Sequence, residues 1–212
     1  MNQQLSNEAI TAEATATVTE DADIRSRVRN LTLSAIRQRH LEATEVAQII
    51  KALVTGINLG IEQRTQDSKA AVGEAFAGLD EALQKSAEAS HLALQELLDH
   101  GQQLNQGELA EALDNLKRTD AEFLAAIREV AEAAGSRANA EWQALLLHVQ
   151  RSGTDTGRQV ADTVSAFGQR VTTVAHDAKA VGSGAAQQLG SRFVQVASGI
   201  LAGMTDALRQ KK

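Results

Sequence analysis

The absence of proline is the feature that most constrains what this chain can fold into. Its 212 residues contain no Pro, whereas an average soluble protein carries about 5%, so roughly ten would be expected. Because proline lacks the N–H donor and clashes with the preceding turn, it breaks helix interiors. Good helix formers such as Ala, Glu, Gln and Leu are abundant. The composition therefore predicts a chain that is helical over nearly its whole length.

Large side chains for a thick core are scarce. Aromatic residues make up 2% of the chain, and Tyr is absent. Since aromatics supply the largest buried areas, we expect thin seams of Leu, Val, Ile and Ala between helices. The predicted fold class is all-α, with long amphipathic helices in an elongated bundle or coiled coil and a disordered N-terminal tail.

Several classes of function are excluded by charge and composition. The net charge of −6 and the pI near 5.4 argue against nucleic-acid binding, which needs clustered positive charge. The absence of Cys excludes disulfides and thiolate metal sites. The N-terminus has no signal-peptide pattern, and the longest uncharged apolar run, residues 193–205, is shorter than the ~20 residues of a membrane span. We therefore expect a soluble, cytoplasmic protein.

The chain divides into three predicted regions. Residues 1–21 have few large apolar side chains and no basic residue, so we expect a disordered tail. Residues 22–151 form an antiparallel helical segment, and residues 158–209 form a basic, amphipathic helical pair. Apolar residues recur at spacings of three and four in three stretches. The first runs from Asp23 to Ile61, with an irregularity near Leu41. The second runs from Ser68 to His100, and the third runs from Leu109 to Arg151, with an interruption at Gly135.

Charge is distributed unevenly along these regions. Residues 62–150 carry seven basic and sixteen acidic residues, a net charge of −9. Residues 151–212 carry eight basic and four acidic residues, a net charge of +4. The two segments either fold against each other, pair between subunits, or are simply solvated faces.

The most regular heptad pattern follows the turn at residues 152–157. Its spacings alternate four and three from Val160 to Val181, which is typical of a coiled-coil seam. A last helix continues the apolar pattern after Gly182-Ser183-Gly184. The candidate partner- or surface-binding residues are Val160, Val164, Phe167, Val171, Val174, Val181, Leu189, Phe193, Val196 and Ile200.

Three Gly-x-x-x-Gly pairs are possible sites of close helix contact. Gly153/Gly157 fits turn chemistry better, with a C-cap glycine and N-cap candidates. The pairs that lie within helical patterns are Gly56/Gly60 and Gly199/Gly203. Repeated glycine there indicates either tight packing or a pliable helix, and we favour the pliable helix.

Residues with catalytic or metal-binding potential do not form a recognisable constellation. Glu88-x-x-His91 has the spacing used by carboxylate-bridged di-metal bundles, but no second such pair occurs. Gly182-Ser183-Gly184 lacks the preceding strand and the further residues of a nucleotide loop. We therefore predict that the protein is not an enzyme and that it has no catalytic residue, no cofactor and no metal.

A run of basic residues lies near the start of the predicted helical region. Between Asp23 and Glu42 there is no acidic residue, so the run could contact phosphates or anionic headgroups. We favour a solvated face that is balanced by the preceding acidic tail. Its members are Arg25, Arg27, Arg29, Arg37, Arg39 and His40.

Segments 27–64, 152–170 and 197–208 resemble an uncharacterised proteobacterial family of helical proteins. Their sequences are RVRNLTLSAIRQRHLEATEVAQIIKALVTGINLGIEQR, SGTDTGRQVADTVSAFGQR and ASGILAGMTDAL. The resemblance covers residues 22–208 and implies helices without an established activity. In composition the chain is also similar to phasins, which coat polyhydroxyalkanoate granules, and to exchangeable apolipoproteins.

Two functions remain open from the sequence. In the first, the protein is a non-enzymatic, phasin-like interaction protein whose apolar stripes lie on a hydrophobic granule or lipid surface. In the second, it is a self-assembling coiled-coil structural or adaptor protein that pairs through the Val160–Val181 seam. The expected partners are thus protein helices, from the chain itself or another protein, or an apolar surface; we expect a homo-oligomer.

Overall fold

The part of the chain that the structure describes is built from α-helices. The structure, a computed structural model, describes residues 5–20, 23–38, 43–65, 67–99, 106–135, 138–174, 195–197, 199–204 and 206. Seven helices are formed by these residues, which agrees with the all-α prediction. They are α1 (Asn7–Thr19), α2 (Ile24–Gln38), α3 (Ala43–Gln63), α4 (Ser68–Asp99), α5 (Gln106–Ala133), α6 (Asn139–Ser152) and α7 (Asp155–Val174).

Helix α1 corrects the prediction of a disordered tail over residues 1–21. Ile10, Ala14 and Val18 recur every four residues, and all three are fully buried. They pack into the main core, and the side chain of Ser6 accepts a hydrogen bond from the N–H of Ala9 at the start of the helix. The sequence argument failed because it counted large side chains, whereas α1 is stabilised by close packing against another helix.

Helices α1 and α3 run parallel and in close contact. The hydroxyl of Thr11 donates a hydrogen bond to the carbonyl of Ala52 (3.1 Å), and that of Thr15 donates to the carbonyl of Gly56 (3.1 Å). Glycine makes this approach possible, since a Cβ at Gly60 would lie 2.7 Å from the Thr15 carbonyl oxygen. Of the two alternatives for the Gly56/Gly60 pair, the structure shows tight packing and not the pliable helix that we favoured.

The apolar side chains form one large core and two small clusters. The main core joins α1 to α6 and also includes Leu201. One small cluster contains Leu94, Leu109, Ala112, Leu113 and Phe167, and the other contains Ala87, Leu116 and Val160. We call these two the α7 clusters, because each joins α7 to α4 and α5.

Helix α7 packs against the two helices that carry most of the acidic middle of the chain. It runs parallel to α4, as contacts advance from Asp80–Thr156 to His91–Thr163. It runs antiparallel to α5, since Asp120 meets Thr154 while Leu113 shares a cluster with Phe167 farther along α7. The charge pattern left open whether the acidic and basic segments fold against each other, pair between subunits or are solvated. Helix α7, at the start of the basic segment, folds against helices of the acidic segment in the same chain.

The other glycine pairs behave differently from Gly56/Gly60. Gly153 has φ +72° and ends α6 by donating its N–H to the Val149 carbonyl (2.8 Å), which confirms the predicted turn. A Cβ at Gly199 or Gly203 would meet nothing within 4 Å. That pair therefore makes no close helix contact with the described residues.

Candidate functional site

Helix α7 is attached to the rest of the molecule by a short connector. Gly153 and Thr154 lie between the end of α6 and Asp155, the first residue of α7. The Thr154 hydroxyl accepts the N–H of Gly157 (2.8 Å), which satisfies one of the free N–H groups of the first turn. Thr154 itself is buried, so the beginning of α7 lies inside the protein.

A carboxylate from α4 binds the first turn of α7. Asp80 Oδ2 accepts the N–H of Asp155 (2.8 Å), and Asp80 Oδ1 accepts both the N–H (2.9 Å) and the hydroxyl (2.7 Å) of Thr156. Asp80 and Thr156 are both buried. A negative charge at a helix N-terminus is favourable because it meets the positive end of the helix dipole.

A second carboxylate, from α5, binds the same turn. Asp120 Oδ1 accepts the hydroxyl of Thr154 at 3.0 Å. Burial raises the pKa of Asp120, the Thr154 hydrogen bond opposes the shift, and the nearby charge of Asp80 adds to it. Burial likewise raises the pKa of Asp80 against the hydrogen bonds from Thr156. We call Asp80, Asp120, Thr154 and Thr156 the latch.

The apolar side of α7 follows directly after the latch. Val160 and Phe167 are 5% and 4% exposed, and Val164 is partly buried against both α7 clusters. We call these three residues the α7 stripe. The ring of His91 packs against Phe167 with centroids 5.0 Å apart, and His91 Nδ1 lies 3.2 Å from the Thr163 hydroxyl. The described part of the predicted seam therefore faces α4 and α5.

The remaining predicted seam residues have different positions. Val171 and Val174 belong to α7, but their side chains lie outside the described residues, as do Val181, Leu189 and Phe193. Val196 is half-buried. Ile200 is partly buried and packs on the main core.

The basic run forms ion pairs in the folded chain. Arg25 and Arg29 both bind Glu81 of α4, at 3.2 and 3.1 Å. Arg27 pairs with Glu20, which follows α1, in agreement with the predicted balance by the preceding acidic segment. Arg37 lies 3.7 Å from Asp206. Arg39 and His40 lie outside the described residues.

The possible metal ligands are engaged elsewhere. Glu88 pairs with Lys85 at 2.7 Å, and His91 contacts Thr163 and Phe167. Within the described ranges, no three His, Asp or Glu side chains are grouped so as to hold a metal ion.

An open groove runs along the outside of α1 and α3. Its volume is about 860 Å³. It is lined mostly by small and neutral side chains, with Glu8, Glu20 and Lys51 at its charged positions and Leu59 as its one large aliphatic side chain.

The latch is the element that the sequence analysis missed. In sequence, Asp80 looks like any other acid of the acidic middle, and residues 152–157 indicate a turn. The Thr-Asp-Thr run at residues 154–156 did predict a helix start. Nothing in the local sequence indicates that the carboxylates for that start come from residues 34 and 76 positions away.

Comparison with known proteins identifies a family whose function is unknown. None of the helices in the described part of the chain combines the length and apolar character needed to cross a membrane. No curated protein and no solved structure matches the chain. Residues 1–210 match the model of a family of unknown function, DUF6781, as expected from the resemblance to an uncharacterised helical family. The chain therefore belongs to this family.

Proposed function

We propose that the protein is a non-enzymatic interaction protein that binds a hydrophobic surface, such as a polyester granule or a lipid layer, through amphipathic helix α7. The proposal takes up the phasin-like function expected from the sequence and assigns it to one helix. In the surface-bound state, α7 dissociates from α4 and α5, and the α7 stripe contacts the surface.

The observation that carries this proposal is the separation of the α7 stripe from the main core. Val160, Val164 and Phe167 belong to the α7 clusters, whereas α1 to α6 share the main core. Burying a Val or Phe side chain stabilises by about 1.5–3 kcal/mol. A surface that covers the same three side chains restores their share of that free energy. The exposure of the α4 and α5 side chains that they cover, such as Leu94 and Leu113, is the cost of release.

The closed bundle by itself offers little apolar surface. The large apolar side chains that are exposed in the described residues are Leu59, Leu92 and Leu147. They lie on three different helices, α3, α4 and α6, and scattered single side chains do not make a binding patch. Release of α7 is therefore the simplest way to create one.

The charges of α7 favour an apolar surface over an anionic one. Asp155, Arg158, Asp162 and Arg170 are its charged residues, so its net charge is zero. Attraction to anionic lipids needs an excess of Lys and Arg on the polar face. We therefore expect binding that depends weakly on salt.

Binding can be tested by flotation of the purified protein with polyhydroxybutyrate granules, neutral vesicles and anionic vesicles. The variant V164D/F167D should lose binding to granules. The matched control A161D/A166D places the same charges on exposed positions of the same helix and should keep it. Absence of wild-type flotation with every surface, or equal binding by both variants, would overturn the proposal.

Self-assembly through the same stripe remains the second candidate, and the heptad spacing of α7 favours it. Since α4 and α5 cover the described part of the stripe, assembly also requires release of α7. Light scattering separates the candidates: a concentration-dependent oligomer that V164D/F167D dissolves, without any flotation, favours self-assembly.

A further inference from the structure

We infer that Asp80 and Asp120 form a latch that decides whether helix α7 lies on α4 and α5 or is released, and that the charge of Asp120 keeps this latch weak. The inference rests on the proposed function, since it treats α7 as the surface-binding helix. It adds a control element to that function.

The hydrogen bonds of the latch couple three helices at one point. Asp80 on α4 satisfies the N–H groups of Asp155 and Thr156, and Asp120 on α5 accepts the Thr154 hydroxyl. Buried N–H groups need such partners. The same groups can be satisfied by water once α7 leaves, so opening exchanges one set of hydrogen bonds for another.

The charge of Asp120 opposes closure of the latch. Asp120 from α5 lies near enough to feel the charge of Asp80 from α4, and Arg158 of α7 is the cation that acts on Asp80. Arg158 is also paired with Asp155. Burial and, to a smaller extent, the charge of Asp80 raise the pKa of Asp120, so its charged form weakens the closed state.

The connector allows α7 to change its direction relative to α6. Gly153 has φ +72°, and a Cβ at this position would meet nothing within 4 Å. On its other side, α6 is fixed in the main core by Trp142 and Leu146. A change of backbone angles at Gly153 could therefore swing α7 while α6 stays in place.

Two substitutions should move the latch in opposite directions. Asp80→Ala removes the acceptor of three hydrogen bonds and should speed hydrogen–deuterium exchange of the α7 amides about tenfold or more. Asp120→Asn removes a charge but keeps an oxygen that can accept from Thr154, so it should slow that exchange. Trp142 is the sole tryptophan, and its unchanged fluorescence should show that the main core remains folded.

A disulfide lock tests the link between release and surface binding. The chain contains no Cys, so H91C/T163C introduces a unique pair between α4 and α7, where His91 Nδ1 lies 3.2 Å from the Thr163 hydroxyl oxygen. The oxidised protein should lose granule binding, and the reduced protein serves as its own control and should bind.

The outcomes distinguish the inference from the proposed function. If the wild type binds granules but the oxidised and reduced forms of H91C/T163C bind equally, the release of α7 is wrong while surface binding stands. If exchange of α7 changes in the same direction in Asp80→Ala and Asp120→Asn, or in neither, the latch is wrong. If no form binds any surface but exchange changes as expected, the latch stands and the proposed function is wrong.

Discussion

Gly56 of α3 lies directly against the backbone of Thr11 of α1. A Cβ at position 56 would lie 2.4 Å from the Thr11 carbonyl oxygen and 2.8 Å from the Cβ of Ala14. Separations below 3.0 Å between a Cβ and backbone atoms force the two helices apart. The packing of α1 therefore depends on the absence of a side chain at this position.

Gly56→Ala should lower the free energy of unfolding by about 1–3 kcal/mol, because overpacking of a close contact costs roughly that much. Gly73→Ala is the matched control, since Gly73 is an exposed helical glycine with nothing within 4 Å. It should stabilise by about 0.5–1 kcal/mol. Urea denaturation followed by circular dichroism measures both; equal effects would contradict the close contact.

Arg64→Met should destabilise α1 at its C-terminal end. The Arg64 guanidinium is buried and donates to the carbonyl of Val18 at 2.7 Å, where a cation also meets the negative end of the helix dipole. We expect a loss of about 1–3 kcal/mol in the free energy of unfolding, together with faster proteolysis within α1. Arg128→Met, at an exposed position of α5, should change stability by less than about 0.5 kcal/mol.

Trp142 and Asn58 should show coupling in a double-mutant cycle. The indole Nε1 of the buried Trp142 donates to Asn58 Oδ1 at 3.1 Å. Trp142→Phe and Asn58→Ala each remove this hydrogen bond, worth about 0.5–1.5 kcal/mol. The double variant should therefore lose less than the sum of the single losses in chemical denaturation followed by circular dichroism. Strict additivity would show that the two side chains do not interact.

The stability of the wild type should depend on pH through Asp120 in a defined direction. Burial raises the pKa of Asp120 from its ordinary value of 3.8, so the folded protein binds this proton more tightly than the unfolded chain. Its contribution to stability is complete below pH 3.8 and is lost as pH rises through the raised pKa. The stability of Asp120→Asn should therefore increase relative to that of the wild type as pH rises through this window. Melting temperatures from thermal unfolding measure this difference. A constant difference between the two proteins would contradict the shift.

The approximate positions of most helices could be predicted because they depend on local sequence. The lack of proline indicates helices, and the gap after His100, the interruption at Gly135 and the turn at residues 152–157 indicate where they begin and end. Helices α4, α5, α6 and α7 follow the predicted stretches. The stretch from Asp23 to Ile61 contains α2, which ends at Gln38, and α3, which begins at Ala43. Residues 39–42 lie outside the described residues.

Helix α1 and the Gly56/Gly60 contact show where local reasoning is insufficient. When the apolar area of side chains is the criterion, small side chains such as Ala14 predict little burial and therefore a disordered segment. Beside a glycine they allow backbone contact and hydrogen bonds from Thr11 and Thr15. The pairing of the two segments involves residues 41 positions apart, and one sequence contains no signal for that pairing.

The sequence by itself determined that the chain is helical and that α7 has one apolar side, because backbone propensity and apolar spacing act over a few neighbouring residues. Only the tertiary structure decided that α4 and α5 cover that side and that Asp80 and Asp120 close over the first turn of α7. An acidic residue on a helix has the same local sequence whether it faces water or a distant N–H group. Which of the two it meets is fixed by the packing of helices that lie far apart along the chain.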